Sequence, residues 1–568
     1  MGSSEAIRAV LISDFNVTNL AGYLNNDESL PAVRAMAAPF GMVRQSLLNS
    51  DLEIWREKHD FGVVWTTPEA VSSGFHAVVN HEDASLGQIL REVDDYAQGL
   101  SRLIGRVRFV LVPTWVSPLH NRGLGLLDLK PETGITNAIM HMNMRLIDTC
   151  AQWPEIHFLN TGRWISEIGH GSFDPKLWYM AKIAFANEIL RQAVTDIKSA
   201  LTAIVGGARK LVILDLDNTL WGGIVGDDGW ENLVLGGHNP VGEAYLDFQK
   251  SLKALTRRGI LLAIVSKNEE DIALEAIRCH PEMALREDDF VGWRINWRDK
   301  AENIQNLITD LNLGFQSTIF IDDSPVERAR VRETLPEVFV PDWPAESFRF
   351  KSALLSLPYL DVTSVSGEDR GRTSLYISER KRSRSRAVVD SIEDWFRSLD
   401  LRVQAEPLNS ANLQRAAQLL NKTNQMNLST RRMTEAELIQ WSKGPSNMFW
   451  TFRVADKYGD YGITGLLGME FPGEEARIVD YVLSCRVMGR KVEETLLYVA
   501  ISRAKARGHR TVIAKYLPTK KNIPCLRFLS NSGLQLDGAS GTFWWSLERE
   551  YEIPESVNLT LQGEDVGE

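Results

Sequence analysis

The sequence predicts a protein of several α/β domains, and three observations support this. The chain has 568 residues, enough for about three or four domains of ~100–200 residues each. Short apolar runs alternate with helical stretches through residues 1–205 and again through residues 206–365, a pattern typical of parallel sheets covered by helices. Residues 401–555 combine helices with strands that follow one another directly, which indicates an α+β domain.

Composition and charge argue against several classes of protein. Hydrophobic residues make up 44% and charged residues 24% of the chain, as in ordinary globular proteins. The net charge of −11 argues against a nucleic-acid binder, which would usually be basic. The cysteines form no CxxC pair, so neither a disulfide framework nor a zinc site is indicated. The chain shows no signal-peptide pattern and no apolar run of the ~18 residues that a membrane span needs. We therefore expect a cytoplasmic protein that binds no membrane.

The first segment, residues 1–205, carries the signals of an α/β domain. The apolar runs Ala9–Ser13, Gly62–Thr66 and Arg108–Trp115 predict buried parallel strands. Residues 139–150 and 177–202 predict helices.

The strongest chemical signal follows the apolar run Leu211–Leu214, which predicts a buried strand. Asp215 and Asp217 come directly after it, and they point the same way because side chains alternate along an extended segment. Open α/β sheets bind ligands at the carboxyl ends of their strands. Two carboxylates there can hold Mg²⁺, or one can attack a phosphoryl group while the other moves a proton.

Further polar groups follow the other strands of this segment. One apolar run ends at Ser266, another ends in Asp322 and Asp323, and Lys300 stands beside a helix start between them. A hydroxyl at a helix start can bind phosphate. Each group alone is more often a helix cap, a turn residue or a solvent-facing charge. Because chance seldom produces all of them together, they predict one phosphate-binding crevice.

These residues resemble the four motifs of the haloacid-dehalogenase (HAD) superfamily: DLDNT at 215–219, Ser266, Lys300 and IDDSP at 321–325. Longer strings resemble the narrower FkbH-like family of natural-product biosynthesis. They are LVILDLDNTLWGGIVGDDG (211–229), WRINWRDKAENI (293–304), FIDDSPVERARVR (320–332), RAAQLLNKTNQMNLSTRR (415–432) and SCRVMGRKVEETLL (484–497). The resemblance runs from residue 206 to about 535, and more loosely through 1–205.

The HAD resemblance implies roles for the polar groups at the strand ends. Asp215 would be the nucleophile that forms an aspartyl-phosphate. Asp217 would be the general acid, and then the base for the hydrolytic water. Thr219 and Ser266 would orient the site and the phosphate, and Lys300 would stabilise the charge.

The same resemblance implies a Mg²⁺ cofactor. Asp215, Asp217 through its carbonyl, and Asp323 would be the ligands, whereas Asp322 would pair with Lys300. The chain between these strand ends leaves little room for a cap domain. We therefore expect a Rossmann-like HAD domain with an open site, which suits a substrate on a large carrier.

The remaining chain predicts a basic helical linker at 366–400, an α+β domain at 401–555 and an acidic tail at 556–568. Residues 401–555 resemble the fold of the GCN5-related N-acetyltransferases (GNAT), in which loop amides hold a pyrophosphate. The matching loop residues here are Arg486, Gly489, Arg490 and Lys491. Lys491 stands where Gly or Ala is expected, which weakens the case for acetyl-CoA and still permits a pantetheine phosphate.

Cys485 directly precedes this loop. Basic neighbours and a helix start would lower the pKa of its thiol, and the FkbH-like resemblance implies acyl transfer through a thioester there. A strand-end cysteine is more often a small buried residue. Further polar residues are candidates for bonding to a polar acyl group, or for capping a loop: Asn424, Gln425, Asn427 and Asn522.

The first domain is similar to SGNH esterases but departs from their catalytic pattern. Ser13, Asp14 and Phe15 stand where those esterases carry Gly-Asp-Ser, and Leu177 replaces the usual histidine. Without both serine and histidine no triad can form, so we expect an SGNH-like fold without hydrolase activity. His120 and His170 receive no role.

The main functional hypothesis follows from the FkbH-like resemblance. The enzyme would transfer a glyceryl unit from 1,3-bisphosphoglycerate to the phosphopantetheine thiol of an acyl carrier protein, with phosphate removal at the Mg²⁺ site. The alternatives are a stand-alone Mg²⁺-dependent phosphatase, a different hydroxy-acyl phosphate, or a binding scaffold. A basic run could dock an acidic carrier or simply be solvated: Arg380, Lys381, Arg382, Arg384 and Arg386.

Overall fold

The computed structural model describes residues 6–117, 124–131, 134–204, 207–363, 365, 367–386, 391–423, 425–519, 522–538 and 540–562. The chain divides into two compact units. The first contains Met1–Gly223, Val234–Ser251 and Leu313–Ser366, and the second contains Ile224–Leu233, Leu252–Asn312 and Gly367–Glu568. Both units therefore take part of segment 206–365, and the domain boundaries expected from the sequence stay a prediction. Within the described ranges no helix is both long and apolar enough to cross a membrane.

The described residues up to Ile204 form alternating strands and helices. In chain order these are β1 (Ile7–Ser13), α1 (Thr18–Asn26), β2 (Val33–Ala37), α2 (Val43–Leu48), β3 (Phe61–Trp65), α3 (Pro68–Val71), α4 (Ser73–Val79), α5 (Leu86–Ser101), β4 (Phe109–Pro113), α6 (Ile135–Cys150), β5 (Ile156–Leu159), α7 (Thr161–Ile168), α8 (Pro175–Ala181) and α9 (Asn187–Ile204).

These strands form a parallel sheet in the order β2-β1-β3-β4-β5. Ala9 and Leu11 of β1 belong to one apolar cluster, whereas Val10 and Ile12 belong to another. Successive residues of a strand face opposite sides, so apolar side chains cover both faces, as in a doubly wound sheet. The predicted strands are confirmed. The helix expected over 177–202 is interrupted, because Lys182 adopts a left-handed conformation (φ 54°) at the end of α8.

The middle of the chain again alternates strands and helices. They are β6 (Leu211–Leu214), α10 (Val225–Asp228), α11 (Pro240–Thr256), β7 (Leu261–Ser266), α12 (Glu270–Cys279), β8 (Phe290–Ile295), α13 (Lys300–Asp310), β9 (Thr318–Ile321), α14 (Pro325–Thr334) and α15 (Phe350–Leu355). In the first unit β6 pairs in parallel with β9, and in the second β7 pairs in parallel with β8. Residues 207–363 are all described, and no inserted cap domain separates these strands.

The last part of the chain lies in the second unit. Its elements are α16 (Gly367–Arg386), α17 (Ile392–Ser398), β10 (Leu401–Pro407), α18 (Leu413–Lys422), β11 (Met426–Asn427), α19 (Glu435–Ser442), β12 (Asn447–Asp456), β13 (Gly459–Glu470), β14 (Glu475–Leu483), α20 (Val492–Ala506), β15 (Thr511–Lys515), α21 (Ile523–Asn531), β16 (Gln535–Asp537), β17 (Thr542–Ser546) and β18 (Val557–Leu561).

These strands build one mixed sheet in the order β16-β17-β15-β14-β13-β12-β10-β18, and β11 pairs with β14. The sequence analysis assigns residues 556–568 to an acidic tail, but β18 pairs in parallel with β10 at the edge of the sheet. The physical reason is that Val557 is buried and alternates with exposed Asn558, which is the pattern of a half-buried strand.

The two members of the basic run on α16 whose side chains are described have partners within the protein. Arg382 is fully buried, and its guanidinium forms an ion pair with buried Asp456 at 2.8 Å. Arg380 donates to the carbonyl oxygen of Phe290 at 2.8 Å, and its guanidinium lies 4.2 Å from the ring centroid of Trp293. The side chains of the other three members lie outside the described residues: Lys381, Arg384 and Arg386. Arg380 and Arg382 therefore hold α16 against β8 and the β12–β13 hairpin.

Replacing Arg382 with Met should destabilise the second unit by about 3–5 kcal/mol, because the buried Asp456 carboxylate would lose its cationic partner. Arg453 and Asp460 form a matched, half-exposed pair on the same hairpin, and Arg453→Met should cost only ~0.2–1 kcal/mol. Urea unfolding followed by tryptophan fluorescence measures both changes. Equal losses would show that the buried pair does not anchor α16.

Candidate functional site

The loop after β6 joins two strand ends in the first unit. The amide of Asp215 donates to the carbonyl of Ile321 at 3.0 Å, which extends the β6–β9 pairing by one residue. Asn218 has a left-handed backbone (φ 55°), so the chain turns sharply there. This turn buries Thr219, whose hydroxyl accepts the amide hydrogen of Asp323 at 3.2 Å. Thr219 thus ties the first aspartate loop to the second.

Carboxylates from both loops meet at this edge. One carboxylate oxygen each from Asp215, Asp322 and Asp323 lie within 4.8 Å of one another, and the first two residues are buried. Like charges this close in a buried site repel, and a bound cation relieves the repulsion. Mg²⁺ prefers hard oxygen ligands of this kind. The residues present therefore fit a magnesium ion.

The carboxylates of Asp322 and Asp217 lie in different surroundings, and the expected pairing of Asp322 with Lys300 stays a prediction. Asp322, expected as the partner of Lys300, contributes its carboxylate to the three-carboxylate cluster. The carboxylate of Asp217 stands outside that cluster and accepts a hydrogen bond from the indole of fully buried Trp221 at 2.9 Å. Asp217 was expected to bind metal through its carbonyl, and this position leaves its carboxylate for proton transfer.

Arg328 is a site residue to which the sequence analysis gave no role. Its guanidinium is buried and donates to the carbonyl oxygens of Asp322 and Asp323, each at 2.7 Å. It lies one turn into α14, whose N-terminus is capped by Ser324. Helical side chains lean toward the N-terminus, so an arginine one turn after Ser-Pro is a signal that could have indicated this contact.

Ser266 and Lys300 belong to the second unit, and both are buried. Ser266 ends β7, and its hydroxyl accepts a hydrogen bond from the Asn268 side chain at 3.3 Å. Lys300 is the first residue of α13, which Asp299 caps through two backbone amides. The amide of Asn296 donates to the Ser266 carbonyl at 3.1 Å. Ser266 and Lys300 therefore lie at the same carboxyl edge of the β7–β8 pair.

The loop expected to hold a phosphate in the C-terminal region is occupied by the chain itself. Gly489 and Lys491 have left-handed backbones just before α20. Glu493 is only 5% exposed, and its carboxylate accepts the amide hydrogen of Gly489 at 2.6 Å and also that of Arg490. Burial raises the pKa of Glu493. An internal carboxylate thus takes the place expected for a phosphate.

The cationic side chains of this loop are also engaged. Arg490 is buried and donates to the Tyr461 hydroxyl at 2.9 Å, and that hydroxyl donates to Asp456 at 3.0 Å. Lys491 pairs with Glu494 at 3.1 Å. Cys485 begins a 3-10 turn, and its side chain lies outside the described residues. The phosphate-binding role expected for Gly489, Arg490 and Lys491 stays a prediction. Arg486 is half-buried in the same turn.

Two of the candidate polar residues, Asn427 and Asn522, lie where strands of this sheet have separated. β14 pairs with β15 only through its first four residues, and β11 pairs with its last two. Asn427 and Asn522 are fully buried, and the Asn522 side chain donates to the Asn427 carbonyl at 3.0 Å. These contacts favour the loop-capping interpretation over acyl binding. Gln425 is exposed, and Asn424 lies outside the described residues.

In the first domain the residues at the esterase-like positions have structural contacts. Asp14 accepts hydrogen bonds from the Thr67 amide and hydroxyl at 2.8 and 2.6 Å, and burial raises its pKa. The Ser13 hydroxyl accepts the Phe15 amide hydrogen at 3.1 Å. Leu177 packs against the apolar core. His170 lies in a 3-10 turn, and His120 lies outside the described residues.

Comparison with known proteins agrees with a phosphatase-type site. No protein-family model matches the chain, and no curated protein matches it. Among solved structures, the chain is similar to the N-terminal part of the protein BF1531 from Bacteroides fragilis, which contains a phosphatase domain and was crystallised with Mg. The identity is 27% and the TM-score 0.58, over 64% of this chain and 96% of that one.

The extent of this similarity is informative. It covers 0.64 × 568, or about 364 residues of this chain. The segment 206–365, which carries the aspartates, has 160 residues. The shared structure therefore extends well beyond the aspartate segment. The SGNH-like assignment of residues 1–205 stays a prediction.

Acetyltransferase structures also match about a quarter of the chain. Ard1 from Thermoplasma volcanium matches at 15% identity and a TM-score of 0.21, over 25% of this chain and 97% of that one. A GNAT-family acetyltransferase from Staphylococcus aureus Mu50 matches at 12% identity and a TM-score of 0.21, over 26% and 99%. Because these TM-scores are low, the acetyltransferase matches assign no activity to this chain.

Arg328 should control metal affinity through the backbone that it holds. Arg328→Met removes both hydrogen bonds to the turn that carries Asp322 and Asp323, and such supporting contacts are worth about 10–100-fold in metal affinity. We expect the Kd for Mg²⁺, measured by calorimetry, to rise by at least about tenfold. Arg332→Met is the matched control, since Arg332 lies on the same helix and pairs with exposed Asp342. An equal effect of both variants would contradict the positioning role of Arg328.

Proposed function

We propose that this protein is a Mg²⁺-dependent phosphatase of the HAD type, with Asp215 as its nucleophile. The observation that carries the proposal is the cluster of Asp215, Asp322 and Asp323 at the carboxyl edge of β6 and β9. A nucleophile, a metal and phosphate all fit at this edge because parallel strands present their ligand sites there. The similarity to a phosphatase-domain protein crystallised with Mg supports the same conclusion.

The reaction follows from the positions of the two aspartates. The Asp215 carboxylate attacks the phosphorus of a phosphate monoester, and the bond from phosphorus to the ester oxygen breaks. Asp217 donates its proton to that leaving oxygen, and the Trp221 hydrogen bond fixes the orientation of its carboxyl group. Water then attacks the aspartyl-phosphate while Asp217 takes up a proton, and inorganic phosphate leaves.

Charge stabilisation completes this proposal. Asp215, Asp322 and Asp323 would hold Mg²⁺, which neutralises phosphate charge when it is bound. Ser266 would donate a hydrogen bond to the phosphate, and Lys300 would supply a positive charge. Both residues are buried at the carboxyl edge of their own strand pair, which agrees with these roles. Positioning and charge account for most of the catalysis in phosphoryl transfer.

A finer function is supported by the FkbH-like strings quoted above. A thiol, with Cys485 as the candidate, would attack the acyl carbon of 1,3-bisphosphoglycerate. The bond from that carbon to the phosphate oxygen would break, so inorganic phosphate would leave and a phosphoglyceryl thioester would remain. The phosphoglyceryl group would pass to the phosphopantetheine thiol of an acyl carrier protein, and Asp215 would remove the remaining phosphate. The absence of an inserted cap domain within residues 207–363 suits a carrier-bound substrate.

The phosphatase proposal predicts that Asp215→Asn abolishes turnover. The variant lacks the nucleophile, so Mg²⁺-dependent phosphate release from small phosphate monoesters should fall by at least about 10³-fold. Chelation of Mg²⁺ should have a similar effect on the wild-type protein. Asp227→Asn is a matched control, because Asp227 is exposed in the same stretch of chain. Phosphate release by Asp215→Asn at the wild-type rate would contradict the proposal.

The transfer proposal predicts a mass change on a carrier. Intact mass spectrometry of a holo acyl carrier protein, incubated with the enzyme, Mg²⁺ and 1,3-bisphosphoglycerate generated in situ, should show a glyceryl-sized gain. Asp215→Asn should leave a phosphoglyceryl-sized gain instead, and Cys485→Ala should abolish loading. An unchanged carrier together with continued phosphate release would favour the stand-alone phosphatase.

A further inference from the structure

A fully buried tryptophan, Trp221, contacts the carboxyl group that is proposed to move a proton. Its indole Nε1 donates to Oδ1 of Asp217 at 2.9 Å. A buried indole needs an acceptor for its N–H group, because an unpaired donor inside a protein is unfavourable. Here the acceptor is Asp217 itself. The packing of the turn after β6 is therefore joined directly to the chemistry proposed for Asp217.

The residue after this tryptophan anchors the backbone of the turn. Gly222 and Val234 exchange two backbone hydrogen bonds, at 3.0 and 2.9 Å. A Cβ atom on Gly222 would lie 3.1 Å from both the Val234 side chain and the ring of Tyr245, so these groups are closely packed. All of these residues belong to the first unit. The backbone that carries Trp221 is thus fixed, and the indole keeps its place beside Asp217.

The chemistry of the indole determines which oxygen of Asp217 can carry a proton. An indole N–H group donates a hydrogen bond and cannot accept one, so the oxygen that it contacts must act as the acceptor. In a protonated carboxyl group the better acceptor is the carbonyl oxygen, and the proton lies on the other oxygen. Without the indole, the carboxyl group would be free to rotate and to carry its proton on either oxygen.

We infer that Trp221 is a positioning residue for proton transfer, and that the oxygen of Asp217 opposite the indole carries the proton to the leaving group. This inference rests on the proposed phosphatase function. When the bond from phosphorus to the ester oxygen breaks, the ester oxygen takes the proton, and the electron pair of the O–H bond stays on Asp217. In the second step the same oxygen of Asp217 takes a proton from the attacking water, whose oxygen forms the new bond to phosphorus.

Two esters that differ in their need for a proton test this role. The ethoxide that leaves ethyl phosphate is strongly basic and needs a proton, whereas para-nitrophenolate is stable without one. Trp221→Phe keeps an aromatic ring without the N–H donor. With Mg²⁺ present, it should lower kcat/KM for ethyl phosphate by at least about tenfold and for para-nitrophenyl phosphate by less than about threefold, since only the first ester depends on positioned proton transfer. The ratio of the two values does not depend on how much of the variant is folded.

A matched control removes an equally buried indole donor elsewhere in the first unit. Trp164 on α7 is fully buried and donates to the Asp196 carboxylate at 2.7 Å, so Trp164→Phe should leave the ratio unchanged. If Trp221→Phe does not fold, site-specific incorporation of 3-benzothienylalanine at position 221 keeps the shape of the side chain and replaces its N–H group with sulfur. The same selective loss with ethyl phosphate is expected.

The outcomes separate this inference from the proposed function. Equal losses with both esters, or no loss with either, would overturn the inference alone, because a merely structural role of Trp221 would not distinguish the two leaving groups. Absence of Mg²⁺-dependent hydrolysis of both esters by the wild-type protein would overturn the phosphatase proposal and this inference with it.

Discussion

The mutual closeness of three carboxylates is the constraint on which the candidate site depends. Asp215, Asp322 and Asp323 are drawn together at one sheet edge, although their charges repel in a buried environment. Two side chains, one neutral and one cationic, hold these loops through hydrogen bonds to backbone groups. Thr219 bridges the two loops, and Arg328 fixes the second loop through its carbonyls. A bound divalent cation would balance the charge of these carboxylates.

Much of this site could be predicted because apolar runs and the polar residues after them are local features. The run Leu211–Leu214 is a buried strand, and Asp215 stands at its end as expected. The hydrogen-bond partners of these aspartates could not be predicted in this way. Adjacent aspartates offer several ligand sets. The choice depends on how nearby side chains are oriented, such as the Trp221 indole and the Arg328 guanidinium, and the sequence does not show that orientation.

The C-terminal region shows where motif-based interpretation reaches its limit. The loop at Gly489 was interpreted from its glycine and its cations, but the decisive residue is Glu493, which the motif does not include. The carboxylate of Glu493, the second residue of α20, accepts the hydrogens of amides that a phosphate was expected to meet. The basic helix α16 is a second example. Arg382 belongs to a run of basic residues, but its side chain is buried and interacts with Asp456, which also accepts a hydrogen bond from Tyr461. Charge in a sequence does not indicate exposure.

Glu493 and β11 have a consequence for the interpretation of genetic variation in this region. Gly489 adopts a left-handed backbone and donates to Glu493, and Asn427 and Asn522 join strands that have separated. In a transferase, changes at such positions would be understood as defects in cofactor use. Here the same positions also carry contacts within the domain, so damaging variants would lower the amount of folded protein as well.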